Sequence, residues 1–331
     1  MKRRRLALTG LAAAVSLSMA GLAGCSGSGS ANPTGSGKLY TIGTAVYVSH
    51  PALQAVLDGF EEVLKEDGIN YKLINENAQG DPANTTTIAS SFASNSSIDL
   101  ILAVSTPVAQ AMAGAEKDRP ILFAAVTDPV TDGLVPSWDK AGKNITGTSD
   151  LNPDAHPVSL VQEAMPDVKT IGVLYSSSES NSLAQVDAYK TEAAQLGVTL
   201  KLQAITSASE VATGLEALSG VDAILIPTDN TVVASISTVI QFGQEKKIPV
   251  FCADNSTVAL GTVATRGLSY HDQGRRTGEM AVEILRDGKS ISDIKPEATT
   301  DTELLVNPDA AARYGLTLPE SLVSQGTVVT G

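Results

Sequence analysis

Apolar residues follow two patterns along the chain, one typical of amphipathic helices and one typical of buried strands. In residues 51–66 the apolar positions recur every three or four residues, which predicts a helix with one buried face: Leu53, Val56, Leu57, Phe60, Val63 and Leu64. The pattern stops at Gly68, a residue suited to the left-handed conformation after a helix. Short apolar runs predict strands at 38–45, 71–74, 99–104 and 121–126. Strands that alternate with helices in this way indicate an α/β fold with parallel sheets.

The alternation continues to the end of the chain. Asp81 and Pro82 predict the start of a helix that ends near Ser94, and the next helix is predicted at 107–115. In the second half, the patterns predict strands at 170–175, 199–204, 223–227 and 250–253, and helices at 182–196, 208–218 and 232–246. A strand at 261–268, a helix at 272–286 and a short helix at 307–314 follow. A return of this last part to the first half would give a hinge of several strands, although periodicity alone does not establish that return.

Several segments occur twice, at a nearly constant distance. The Thr-Ile-Gly of residues 41–43 recurs 129 residues later at 170–172, and residues 68–73 and 120–123 resemble 197–202 and 249–252 at the same offset. Residues 98–102 return at 221–225, offset by 123. The constant order favours a duplicated unit over chance similarity between two Rossmann-like halves. Two similar α/β lobes leave a cleft between them, which is a natural place to hold a small molecule.

The first 24 residues have the pattern of a cleaved export signal. Basic residues 2–5 precede an apolar stretch at 6–20 that is short for a membrane span. Residues 22–25, Leu-Ala-Gly-Cys, resemble the lipobox of bacterial lipoproteins, which implies that Cys25 is acylated and anchors the chain to the membrane. An ordinary export signal followed by a chance cysteine is the alternative. Residues 25–37 are rich in Ser and Gly and predict a flexible tether.

Charge and motifs exclude several classes of protein. Loss of the four basic signal residues would change the net charge from −13 to −17, which disfavours nucleic acid and anionic lipid as partners. Cys252 lies in an apolar run, so we expect a buried thiol and no disulfide within the chain. Walker A, dinucleotide-binding and Gly-x-Ser-x-Gly motifs are absent from the sequence, and its three histidines lack metal-site spacing. We therefore expect a binding protein with no cofactor, no metal and no catalytic activity. We also expect it to act as a monomer, although the sequence does not establish this.

Candidate chemistry lies where the predicted parallel strands end, because ligands of open α/β sheets bind outside the carboxyl ends of the strands. This rule selects six loops, at 46–50, 105–107, 127–129, 176–182, 228–230 and 254–256. Hydroxyls and backbone N–H groups at helix starts suit a carboxylate, whereas Asp128, Asp229 and Asp254 suit an ammonium group or sugar hydroxyls. Ser, Thr, Asp and Asn are also preferred at helix starts and turns, so each loop alone has two interpretations. Their grouping around one cleft favours binding.

The repeat places different groups at equivalent positions of the two lobes. Ser105-Thr106 corresponds to Thr228-Asp229, and His50 corresponds to Glu179. One lobe would then hold a carboxylate with hydroxyls while the other holds an amine with a carboxylate. This arrangement would match a zwitterion, but the sequence does not require it.

Eight segments resemble the tryptophan-binding-like family of ABC-transporter substrate-binding proteins, a branch of the type I periplasmic-binding fold. They lie in order over nearly the whole chain after the signal, at 50–64, 75–84, 99–111, 123–135, 144–151, 171–182, 221–232 and 270–285. The resemblance implies two Rossmann-like α/β lobes with parallel sheets, joined by a three-stranded hinge. We expect one lobe to comprise 38–148 plus 262–295 and the other 149–261 plus 296–331.

Known members of this family bind aromatic amino acids, and their motifs imply which residues line the cleft. Together with the loops above, they give the predicted ligand-binding set: Tyr47, Ser49, His50, Ser105, Thr106, Thr127, Asp128, Tyr175, Glu179, Asn181, Ser182, Thr228, Asp229, Asn230 and Asp254. Tyr47 and Tyr175 are the expected stacking residues. The chain departs from the family where Val46 and Ser49 replace the common Gln and Glu, and where Ser176 replaces the usual Asn. A specificity for tryptophan therefore cannot simply be transferred.

The leading hypothesis is a lipid-anchored protein outside the cytoplasm that captures a small solute, in particular an aromatic amino acid, and delivers it to an ABC permease driven by a separate ATPase. Closure of the lobes around the ligand would produce the form that the permease recognises. The alternative is the same two-lobed body presenting its ligand to a membrane sensor or receptor. The sequence does not separate these two partners.

Overall fold

The computed structural model describes residues 37–299 and 301–330, so the predicted signal, Cys25 and most of the tether lie outside the described residues. The strands are β1 (Tyr40–Val46), β2 (Tyr71–Asn77), β3 (Leu100–Val104), β4 (Ile121–Val126), β5 (Ile145–Ser149), β6 (Thr170–Ser176), β7 (Thr199–Ile205), β8 (Ala223–Ile226), β9 (Val250–Cys252), β10 (Ala264–Leu268), β11 (Glu297–Ala298), β12 (Thr302–Val306) and β13 (Thr327–Val328). The helices are α1 (Pro51–Glu66), α2 (Pro82–Ser94), α3 (Thr106–Ala115), α4 (Pro157–Ala164), α5 (Ser180–Leu196), α6 (Val211–Ala217), α7 (Asn230–Val233), α8 (Ile236–Lys246), α9 (Tyr270–Leu285), α10 (Pro308–Tyr314) and α11 (Glu320–Gln325). Within these described ranges, none of the helices combines the length and apolar character needed to cross a membrane.

Two parallel sheets repeat one topology. The larger has the order β11-β5-β4-β3-β1-β2 and the smaller β7-β6-β8-β9, so β2-β1-β3-β4 corresponds to β7-β6-β8-β9. Equivalent hydrogen bonds accompany this order. The carboxylate of Asp99 accepts from the backbone N–H of Thr41 at 2.8 Å, and the carboxylate of Asp222 accepts from that of Thr170 at the same distance. The sequence repeat therefore corresponds to one structural unit present twice.

The first lobe consists of the six-stranded sheet with α1, α2, α3 and α9. The predicted apolar face of α1 is buried, and α9 packs along it at very short range. A Cβ atom on Gly274 would lie 2.1 Å from the carbonyl oxygen of Val56, and one on Gly59 would lie 2.1 Å from that of His271. Only glycine permits this approach, so these residues fix the returning helix α9 in the first lobe.

The second lobe is built on the four-stranded sheet and α4–α8, and its core includes α10. A mixed sheet, in the order β10-β12-β13, joins this core through Ala264 and Val306. In the described chain the backbone passes between the lobes after β5, between β10 and α9, and between β11 and β12. The predicted fold class, two α/β lobes with parallel sheets joined by a three-stranded hinge, is confirmed. The exact lobe boundaries stay a prediction.

Some elements differ from the sequence patterns. The predicted helix 232–246 is divided into α7 and α8, because the N–H of Ser235 donates to Val232 in a tight turn and α7 is buried along its whole length. The strand predicted from 261 begins at Ala264, since Gly261 occupies a turn with φ +125°. The patterns missed β5 and α4, which form the first passage between the lobes.

Candidate functional site

The loops at the carboxyl ends of the strands meet in a small buried chamber between the lobes. Its volume is about 10 Å³, and its walls are His50, Leu53, Ala125, Thr127, Asp150, Asn181, Thr228, Asn230 and Tyr270. Five of these residues were predicted from the sequence: His50 and Thr127 from the first lobe, and Asn181, Thr228 and Asn230 from the second. His50 Nε2 lies 3.2 Å from Asn230 Oδ1, so the two lobes are in direct contact across the cleft.

Several polar atoms of the chamber are buried without a hydrogen-bond partner in the described part of the chain. They are Nδ1 of His50, Oγ1 of Thr127, Oδ1 of Asp150 and Oδ1 of Asn181. The Oγ atom of Ser105, at the start of α3, is also buried without a hydrogen-bond partner among the described residues. Buried polar groups are nearly always hydrogen-bonded, and an unsatisfied one is costly. Their concentration at one place indicates a site built for a polar ligand.

Asp150 and Tyr270 were not in the predicted set. Asp150 directly follows β5, and Tyr270 is the first residue of α9. The hydroxyl of Tyr270 donates to Asp150 Oδ2 at 3.1 Å. Burial raises the pKa of Asp150, and the hydrogen bond from Tyr270 opposes that change. Both residues lie at ends of strands, so the rule of carboxyl ends would have selected Asp150 had residues 145–149 been recognised as a strand.

The described residues that form the walls of the chamber include one acidic side chain, Asp150, and no Lys or Arg. Asp254 lies just behind His50, with 3.9 Å between Asp254 Oδ2 and His50 Nδ1. A buried carboxylate that has no basic side chain beside it favours the binding of a cation. This arrangement suits the ammonium group of a ligand.

A feature next to the chamber suits an anion. Ser105 is fully buried with φ +90°, and its N–H donates to the carbonyl of Ala124 at 2.9 Å. The next residue, Thr106, starts helix α3 and accepts the N–H of Thr127 at 3.4 Å. These bonds join the ends of β3 and β4 and hold the unpartnered Ser105 hydroxyl at a helix N-terminus, where anions are stabilised.

Helix α9 shapes the wall of the chamber from the first lobe. Ala125 has φ +52°, and the pairing of β4 with β5 is irregular between Phe123 and Val126. The buried side chain of Gln273 accepts the N–H of Ala125 at 2.9 Å. An alanine in the left-handed region is strained, so this hydrogen bond keeps the end of β4 directed into the site.

Glu179 is completely buried at the floor of the cleft in the second lobe. One of its oxygens accepts from the N–H and hydroxyl of Thr231, at 2.9 and 2.7 Å, and the other accepts from both nitrogens of Asn230. Asn181 donates to the carbonyl of Thr228 at 2.7 Å, which directs its free Oδ1 toward the chamber. Glu179 therefore orients chamber residues through its own hydrogen bonds.

Asp229 is also buried, and its oxygens are used within the second lobe. They accept from the N–H of Ser176 at 2.5 Å, the hydroxyl of Ser182 at 2.7 Å and the N–H of Val232 at 2.8 Å. Burial and the neighbouring charge of Glu179 raise the pKa of Asp229 to about 7. The expectation that Asp229 pairs with a ligand amine stays a prediction, and so does a direct ligand contact of Ser182.

The remaining predicted residues lie outside the walls of the chamber. Tyr47 is buried, donates to the carbonyl of Gly80 at 3.0 Å, and has a pKa raised by burial to about 12. Ser49 is exposed on the outer side and accepts from Asn77. Asp128 holds its own loop through Thr131, and half-buried Tyr175 packs on the core of the second lobe. Their ligand contacts stay predictions.

Comparison with known proteins identifies the family of the chain. Residues 41–330 match the family described as ABC transporter substrate binding protein. The chain is 40% identical over 299 residues to the tyrosine-binding protein of Clostridioides difficile (strain R20291), and the alignment covers 87% of this chain and 86% of that relative.

Two solved structures are similar over almost their whole length. The ABC domain of Streptococcus pneumoniae in complex with L-Trp has a TM-score of 0.84 at 35% identity, covering 88% of this chain and 100% of that one. A ligand-free, open substrate-binding protein with adhesive properties from Clostridium difficile has a TM-score of 0.63 at 41% identity, covering 88% and 99%. Substrate-binding proteins of ABC transporters act outside the cytoplasm and are not enzymes. The chain therefore belongs to the family of ABC transporter substrate-binding proteins.

Proposed function

We propose that this protein captures a free aromatic amino acid between its lobes and delivers it to the permease of an ABC importer, whose ATPase is a separate subunit. The observation that carries the proposal is the buried oxygen of Asp150 that lacks a partner among the described residues. It lies beside a second unpartnered acceptor, Asn181 Oδ1. Two acceptors that share one chamber call for a donor with several hydrogens, and an ammonium group has three.

The other end of an amino acid finds complementary groups. The hydroxyls of Ser105 and Thr127 are buried and unpartnered in the described structure, and both can donate to a carboxylate. The start of α3 adds the favourable field of a helix N-terminus. A ligand with an ammonium and a carboxylate group on one carbon therefore matches the site better than a sugar, which carries no charge.

The aromatic side chain is supported by the relatives. A relative at 40% identity is called a tyrosine-binding protein, and a structure at 35% identity contains L-Trp. The present structure has a higher TM-score against the L-Trp complex than against the open, ligand-free structure, despite the lower identity. This difference supports a closed arrangement of the lobes as the ligand-binding form.

We also propose that a lipid on Cys25 anchors the protein to the membrane. Acylation of Cys25 would leave the folded body on a tether outside the cytoplasm, next to its permease, and the body would act as a monomer. Metabolic labelling with a palmitate analogue would test the anchor. Labelled wild-type protein and unlabelled Cys25→Ser protein are expected, whereas label in both would contradict acylation at that residue.

Isothermal titration calorimetry tests the binding proposal directly. We expect L-tyrosine or L-tryptophan to bind, and analogues that lack either the amine or the carboxylate to bind much more weakly. Asp150→Asn should lower affinity by about 10- to 100-fold, because a hydrogen bond to a charged group contributes about 1.5–3 kcal/mol. Asp272→Asn, on the exposed first turn of α9, is the matched control and should bind normally. Equal affinity in both variants would contradict the role of Asp150.

A further inference from the structure

A larger groove adjoins the chamber on the hinge side. Its volume is about 500 Å³, and it runs along α5 beneath the segment that joins β5 to α4. Four residues, Thr127, Asp150, Thr228 and Tyr270, line both the groove and the chamber. Asp150, the proposed ammonium partner, therefore stands at the boundary between the two spaces.

The sizes of the two spaces decide where a side chain can go. A volume of about 10 Å³ accommodates no more than one water molecule. A groove of about 500 Å³ lies within the range of ordinary ligand pockets, roughly 300–1,000 Å³. Because Asp150 and Thr127 border both spaces, a ligand whose ammonium group occupies the chamber and whose carboxylate contacts Thr127 has room for a ring only in the groove.

The walls of the groove are apolar near the chamber, where they could contact an aromatic ring, and are exposed to solvent at the outer end. Buried Leu268 and the ring of Tyr189 provide apolar contact, and Gln185 lies beside them, accepting the N–H of Thr228 at 3.0 Å. On the outer side the wall is formed by Ala184 and Ala188, one helical turn apart on α5, and both are exposed. The groove is therefore open to solvent although the lobes are in contact.

We propose, building on the proposed function, that the side chain of the bound amino acid lies in this groove and that its far end reaches solvent in the closed form. The site then recognises the amino acid through its charged groups and the first part of its ring. Aromatic amino acids extended at the para position are consequently ligands of the same site. The small side chain of Ala188 keeps the outer end of the groove wide enough for them.

Calorimetry with L-tyrosine and O-propargyl-L-tyrosine tests this inference on the wild-type protein. The extended analogue should bind with a dissociation constant within about tenfold of that of tyrosine, a difference of about 1.4 kcal/mol. A loss of more than tenfold would show that the side-chain site is closed and would overturn the proposal. If the protein binds neither tyrosine nor tryptophan, the proposed function fails rather than the assignment of the groove.

Two variants of α5 locate the side chain. Ala188→Trp narrows the groove, whereas Ala194→Trp places the same ring on an exposed position of α5 outside the groove. Both positions are exposed, so circular dichroism should show folded proteins with melting temperatures near that of the wild type. Ala188→Trp should weaken binding of the extended analogue at least tenfold relative to Ala194→Trp. Equal affinities would place the side chain elsewhere and refute the inference.

Discussion

Asp229 gives the sharpest test of the electrostatics beneath the cleft. It is fully buried next to Glu179, and three hydrogen bonds from its own lobe stabilise its charged form. Burial and the charge of Glu179 outweigh those bonds and raise its pKa from 3.8 to about 7. Asp229→Asn removes the titrating group and keeps the size of the side chain.

The sign of the expected effect follows from proton binding. Between pH 4 and pH 7 the folded state holds a proton on Asp229 that the unfolded chain has released, so the free energy of unfolding falls as the pH rises through this range. The stabilisation is complete below the unfolded pKa of 3.8 and is lost above the folded pKa of about 7. The difference between these two pKa values corresponds to at most about 4 kcal/mol.

Urea denaturation of the wild type and of Asp229→Asn at several pH values measures the contribution of Asp229 to the free energy of unfolding. The free energy of unfolding of the wild type minus that of Asp229→Asn should decrease by up to about 4 kcal/mol between pH 4 and pH 8. Taking the difference cancels the other titrating groups, and Asp139→Asn, at a side chain that is 90% exposed, controls for the chemical change alone. A constant difference would refute the raised pKa. A difference that increases with pH would show that the three hydrogen bonds dominate.

Three further predictions concern packing, reactivity and closure. Gly274→Ala should lower the free energy of unfolding by about 1–3 kcal/mol in urea denaturation, because its Cβ would lie 2.1 Å from the Val56 carbonyl oxygen; unchanged stability would contradict that contact. Cys252 should react with a thiol reagent only after unfolding, since burial raises its pKa, and rapid reaction of the native protein would show that it is accessible. Ser180→Ala should weaken amino-acid binding severalfold in calorimetry, because its hydroxyl donates to Asp132 across the cleft at 2.6 Å; an unchanged dissociation constant would show that this contact does not stabilise closure.

Much of the fold follows from local patterns in the sequence. The 16 residues of α1 were predicted to the residue, because a strong apolar periodicity is bounded by Pro51 at one end and Gly68 just past the other. Helix α10 was also predicted: Asn307, the first residue of the predicted range, is its cap, and Gly315, just past its end, has φ +87°. In contrast, β5 was missed because three of its five residues, Ile-Thr-Gly-Thr-Ser, are polar, although all five are buried. Its burial depends on the neighbouring strands and α9, which are distant in the chain.

The site was predicted in part for the same reason. Loops that follow recognisable strands yielded His50, Thr127 and Asn230, which do meet in the chamber. Asp150 follows the strand that was missed, so its position escaped detection. Sequence also could not tell which acids face the cleft. Asp229 and Asp150 are both buried aspartates after a strand, but only the three-dimensional hydrogen-bond pattern shows that the first is saturated and the second has a free oxygen among the described residues.

The close contact between α1 and α9 also constrains the order in which the chain can fold. Helix α9 begins at residue 270, more than 200 residues after the end of α1 at residue 66, whereas β6 to β9 of the second sheet lie within one continuous segment, 170–252. Closing a short loop costs less entropy than closing a long one, so the second sheet should form before the first lobe is complete. Until then the apolar face of α1 stays in water. A fragment that ends at residue 262 would retain five strands of the first sheet without α9, and the exposed face would make it prone to aggregate.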